Sequence, residues 1–227
     1  MKPAVLLLII AFLTSFSTNS RAQASRIVID SIRIESGNLM VDFHADSLLS
    51  SRLLAGMQRG ITSSARFRVQ LWRKRSLFLS GLVAEREYEI KATFDLWEQQ
   101  YLMQTWEERR LTRSLELVRA NWEQHRNLLL ADSSKLGAKT RYRVSVEVLV
   151  EPVSRESLQE IRGWLGGEIK KTPQPDSTGS PPPENSRGLQ DRLLDAVIDL
   201  TGLGERMITA RSETFRVTED GRIEFEK

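Results

Sequence analysis

Apolar and polar residues alternate with period two through most of the stretch from Ser25 to about Glu151, which predicts half-buried antiparallel strands. Val28, Ile32 and Ile34 share one face of a first strand, and Gly37-Asn38 supplies hairpin turn chemistry. Leu39, Val41, Phe43 and Ala45 line a second strand, opposite Asp42, His44 and Asp46. Phe67, Val69 and Leu71 alternate with Arg66, Arg68 and Gln70 in a third. Tyr88, Ile90, Ala92, Phe94 and Leu96 alternate with Glu87, Glu89, Lys91, Thr93 and Asp95 in a fourth. Tyr101 to Trp106 reads as the next hairpin arm, and Asn127 to Ala131 as a short strand. Tyr142, Val144, Val146, Val148 and Val150 give the clearest strand, stopped by Pro152.

The period switches to helical in three places. Ser47 precedes a stripe of Leu49, Leu53 and Met57 that ends near Gly60. Leu115, Val118 and Trp122 form the second stripe, and Ser154 precedes the third at Leu158, Ile161 and Leu165. Residues 172–187 hold five of the seven prolines, so this segment is expected to be an extended linker without a core of its own. Beyond it, Leu189, Leu193, Val197 and Leu200 predict an amphipathic helix. Two short strands around Asp220-Gly221 follow. A three-residue loop there sets Phe215 opposite Phe225, Arg216 opposite Glu224 and Val217 opposite Ile223, with Gly221 in the left-handed position. The hairpin is expected to pack on that helix or back on the main sheet.

The reading is an α+β protein: a curved, mostly antiparallel sheet with helices packed on one side, plus a small C-terminal helix and β-hairpin. Its parts are 1–24, a domain over 25–171, the linker 172–187 and an appendage over 188–227. Residues 1–24 have the three regions of a secretory signal peptide: Lys2, an apolar run from Ala4 to Leu13, and Ala22-Gln23-Ala24 before a cleavage point at Ser25. The run is about half the roughly 20 residues that a membrane-spanning helix needs, so no stable span is expected after cleavage.

Composition sharpens this picture at two points. The chain has no cysteine, which excludes disulfides, thiolate metal sites and a lipid-anchored N-terminus. The formal net charge is +3, but removing Lys2 and Arg21 leaves basic residues only one ahead of 30 acidic ones. A nucleic-acid partner is therefore not expected.

Candidate chemistry is sparse. Asp42-x-His44-x-Asp46 puts oxygen and nitrogen donors on one strand face, but same-face neighbours lie about 7 Å apart, so a solvated face is the better reading. His125, at the end of the Trp122 helix, has no nucleophile elbow, H-E-x-x-H or phosphate loop beside it. Glu107 and Glu108 point to opposite faces of a strand. No catalytic, metal or cofactor-binding residue is assigned. Arg66, Arg68, Arg73, Lys74 and Arg75 form the densest basic cluster, and Glu85, Glu87 and Glu89 on the next strand can turn it into a cross-strand ladder. Trp72 and Trp97 fall on the polar side of their strands, so they are covered by a helix or exposed to a partner. Trp72, Trp97, Arg66 and Arg68 are the candidate ligand or partner surface.

The order of Ser31-Ile32-Arg33-Ile34-Glu35-Ser36-Gly37-Asn38-Leu39, Leu53 to Ile61, Arg68-Val69-Gln70-Leu71-Trp72-Arg73, Arg86 to Ile90, Ser114-Leu115-Glu116 and Tyr142-Arg143-Val144 resembles the exported bacterial domain-of-unknown-function family 4390. The resemblance covers about 27–153. It implies no established activity and carries over no catalytic residues; gene neighbourhood with sensor kinases implies a link to envelope signalling. The expected function is a non-catalytic binding module of the cell envelope, periplasmic where an outer membrane exists and secreted otherwise. Its expected partner is an envelope protein or envelope component. Two alternatives remain open: a hydrolase or lyase using carboxylates on an envelope polysaccharide, and an apolar-ligand carrier.

Overall fold

The structure, a computed structural model, describes residues 25–74, 80–105, 107–138, 140–154, 157–159, 204–218 and 220–226. The signal segment, the proline-rich linker and the amphipathic stripe at 189–200 lie outside the described residues. Eleven strands are described: β1 Arg26–Glu35, β2 Asn38–Asp46, β3 Ser63–Lys74, β4 Ser80–Asp95, β5 Gln100–Gln104, β6 Arg109–Thr112, β7 Gln124–Asp132, β8 Arg141–Glu151, β9 Arg206–Arg211, β10 Phe215–Val217 and β11 Ile223–Phe225. Helices α1 (Ser51–Met57) and α2 (Leu115–Glu123) are short, and Ser50 and Ser114 cap them through their side chains. Ser154 accepts from the amide of Ser157 at 3.3 Å, opening the third helical segment at 157–159.

The strands are antiparallel and form two sheets. One has the order β1-β2-β7, and the other β11-β10-β8-β3-β4-β5-β6, with β9 also paired to β8. The long sheet was expected to be covered by helices, and α1 and α2 do pack on its apolar side through Leu53, Met57, Val118 and Trp122. The three-stranded sheet covers it as well, because β1, β2 and β7 also have one apolar face to bury. Phe43 of β2 meets Phe67 of β3 with ring centroids 6.2 Å apart. Val144, Val146, Val148 and Val150 of β8, with Ala65, Val69 and Leu71 of β3, fill the same core.

Two details differ from the periodic reading, and a third agrees with it. Ile29 pairs with Phe43 and Ser31 with Asp42, so Asp30 is an extra residue that shifts the phase of β1. As a result Ile27 and Ile32 are buried, while Val28 is only half-buried. Strands β6 and β9 were not anticipated, because Arg109–Thr112 and Arg206–Arg211 carry too few apolar residues to stand out. The C-terminal hairpin has the register of the three-residue loop, with Phe215 opposite Phe225 and Val217 opposite Ile223. Gly221 sits at φ +76° within it. Phe215 is fully buried and pairs with Tyr142, so this hairpin lies on the main sheet.

Candidate functional site

Leu96-Trp97-Glu98-Gln99 joins β4 to β5 as a four-residue turn above the Asp95–Gln100 pair. Asp95 builds it: its Oδ1 accepts from the amides of Trp97 at 2.8 Å and Glu98 at 3.1 Å. Gln99 takes the left-handed conformation at φ +53°, and its side-chain amide donates to the Leu96 carbonyl at 2.8 Å. Below the turn, Phe94 and Tyr101 meet edge to face at 4.9 Å, with Tyr101 buried. The turn is thus tied down by its own hydrogen bonds and by an aromatic pair in the core.

Trp97 projects from this base with 95% of its surface exposed. Leu96 beside it is 52% exposed, and Leu111, on β6 opposite Leu102, is 57% exposed. Trp97 therefore sits on a turn, not on a strand face. Trp72 lies elsewhere, half-buried on the outer face of β3, with its indole N–H donating to Gln70 Oε1 at 3.2 Å. It pairs with Leu82 near the start of β4, whereas Trp97 follows the end of β4. Thirteen strand positions separate Leu82 from Asp95, a span on the order of 40 Å. The two tryptophans form no common patch.

Arg66 and Arg68 occupy the outer face of β3, and both are partnered. Arg66 meets Glu87 and Glu89 at 3.8 Å, while Arg68 meets Glu87 at 3.5 Å and Glu147 at 3.6 Å. Gln70 donates to Glu85 at 2.5 Å. Arg66 and Arg68 thus belong to a cross-strand ladder of compensated charge that is worth little to stability, and Arg75 of the basic cluster lies outside the described residues.

The Asp42-x-His44-x-Asp46 face is divided between different partners. Asp42 accepts from Ser31 at 2.9 Å, from Arg33 at 2.5 Å, and from the amide of Asn127 at 2.6 Å. Asn127 sits at φ +57° in a bulge of β7, so Asp42 pins that irregularity to β2. Burial opposes ionisation of Asp42 most strongly, but the Asn127 amide, Ser31 and Arg33 together hold its carboxyl below the usual range. Asp42→Ala is expected to destabilise the fold by about 2 kcal/mol, read as a lower urea midpoint at unchanged slope.

His44 Nδ1 lies 2.7 Å from Asp30 Oδ1, a contact made by the bulged residue of β1, and its Nε2 lies 3.7 Å from Asp46. These residues, with Glu123, Gln124 and Arg126, line an open cleft of about 210 Å³. Among the described residues, no group of three or more histidines and carboxylates is arranged to hold a metal ion.

His125 follows the end of α2, as expected, and is buried there because the chain turns from α2 directly into β7. Its ring stacks on Phe43 at 4.6 Å and tilts against Phe67 at 4.3 Å. Nε2 lies 3.2 Å from the Trp122 carbonyl, which can only accept, so Nε2 carries the proton. Nδ1 is then the acceptor for the Tyr88 hydroxyl at 3.0 Å. Burial pushes the imidazole down to about 4, against the opposing pull of the Trp122 carbonyl. Burial likewise raises Tyr88 well above the usual phenol value. The pair is a neutral, mutually satisfied contact between a buried imidazole and a half-buried phenol.

A family model described as a domain of unknown function, DUF4390, matches residues 22–153, and the chain belongs to that family. The match spans β1 to β8, including the Trp97 turn. No curated protein and no solved structure matches the chain at the significance required. No helix among the described residues is long and apolar enough to cross a membrane.

Proposed function

We propose that this protein is a non-catalytic binding module of the cell envelope that engages a partner protein through the Trp97 turn. The observation that carries this reading is a tryptophan almost wholly exposed on a turn that four residues hold in place. Burying a tryptophan removes roughly 150–250 Å² from water, so leaving it outside forgoes several kcal/mol that the fold could have used. Tryptophan is also prominent among interface residues that dominate affinity, and a preformed turn lowers the ordering cost of binding. The signal-like residues 1–24 support placement outside the cytoplasm. A photoreactive amino acid at position 97 tests the reading in cells: a discrete protein adduct is expected there and not at the exposed position Arg119.

Carboxylate catalysis has one observation in its favour, the cleft holding Asp30, Asp46 and Glu123. Asp30 and Asp46 both flank His44 in the open, however, and both are about half-exposed. Neither is enclosed. The binding reading is the better supported.

A further inference from the structure

The family match ends at residue 153, two residues past β8, yet β8 is not left as an edge. Six residues of β9 run antiparallel along its open side, from Ser145↔Arg211 to Val150↔Arg206. Ile208 and Ala210 face Val148 and Val146, and the Arg206 guanidinium donates to Ser25 Oγ and the Leu48 carbonyl, both at 3.3 Å. Past the strand, Ser212 exchanges hydrogen bonds with the backbone of Val144, and Phe215 fills a core position beside Tyr142. No residue of β9 is itself fully buried, and Met207 is largely exposed. Without this cover, β8 would offer unpaired backbone alongside four alternating valines, the kind of edge that pairs with another chain.

We propose that the open edge of β8 is a strand-acceptor site, and that residues 204–226 of a second copy of this chain occupy it in a reciprocally exchanged dimer. The strand and its acceptor are already complementary, so exchange keeps every contact and alters only the connection. That connection, from Ser154 to Gly204, is roughly 50 residues, and such a length spans up to about 150 Å when extended. That length places no limit on reaching a neighbouring molecule. The local concentration of a tethered strand is in the mM range, so the monomer dominates at μM protein and the exchanged dimer rises as protein concentration nears mM. The proposal is independent of the Trp97 reading, though a dimer would carry two such turns.

The absence of cysteine makes the test clean. In the variant Ser145→Cys/Arg211→Cys the two thiols are opposite one another in the β8–β9 register. Oxidation at about 10 μM is expected to link them within one chain, whereas oxidation after equilibration near 1 mM should raise the covalent dimer fraction at least tenfold. Each single-cysteine variant oxidised alone sets the background of random crosslinks, because neither can join position 145 to position 211. A dimer fraction at that background at every concentration overturns the proposal. If the double variant does not fold, isotopically labelled and unlabelled full chains can be mixed near 1 mM, diluted and weighed by native mass spectrometry. Mixed dimers support exchange, and monomers alone overturn it.

Discussion

Acidification from pH 7 to pH 4 is expected to remove about 3 kcal/mol of stability through His125 alone. The imidazole is neutral in the fold because burial holds it near 4, whereas the unfolded chain binds a proton near 6.5. Between those values the unfolded state carries more protons, so stability falls as pH falls, and below about 4 the loss levels off. Protonation would place a charge among Phe43, Phe67 and Tyr88 and set an N–H against the Tyr88 hydroxyl that now donates to it. Urea unfolding at half-unit pH steps measures the slope. His125→Gln should flatten it between pH 6.5 and about 5, above the range in which ordinary carboxylates titrate. Tyr88→Phe keeps the ring but leaves Nδ1 without its donor, and should cost about 1–3 kcal/mol at pH 7. An unchanged pH slope in His125→Gln would contradict this account of the core.

Trp97→Ala has the second large expected effect, and a contrasting one. The side chain touches little of its own fold, so the thermal midpoint should move by less than a degree or two. Partner affinity should fall by about 2 kcal/mol or more, roughly thirtyfold, since an aromatic anchor carries a large share of an interface. Asp95→Ala offers an independent check, because it removes the two hydrogen bonds that shape the turn while leaving the indole in place. It should weaken binding less than Trp97→Ala does.

Much of this fold was legible because its information is local. The valine alternation of β8 and the arginine–glutamate complementarity of β3 and β4 are each visible within a few residues, whereas the cap of α1 was expected at Ser47 and is Ser50. The hairpin at 215–225 was readable because only one register opposes like with like. What was missed depends on distant partners or on a shift of phase. The extra residue at Asp30 slides β1 by one position, and no local pattern marks it. His125 reads as a helix end until β2, β3 and β4 bring their aromatic rings around it. Trp97 was singled out but placed on a strand. Asp95, a turn-forming residue two positions before it, was the available signal for a turn.

In-cell photocrosslinking from position 97 decides whether the Trp97 turn is the partner-binding surface. A discrete adduct of one partner protein is expected, lost when the same photoreactive residue is moved to Arg119. Adducts of equal yield at both positions, or none at position 97, would contradict it.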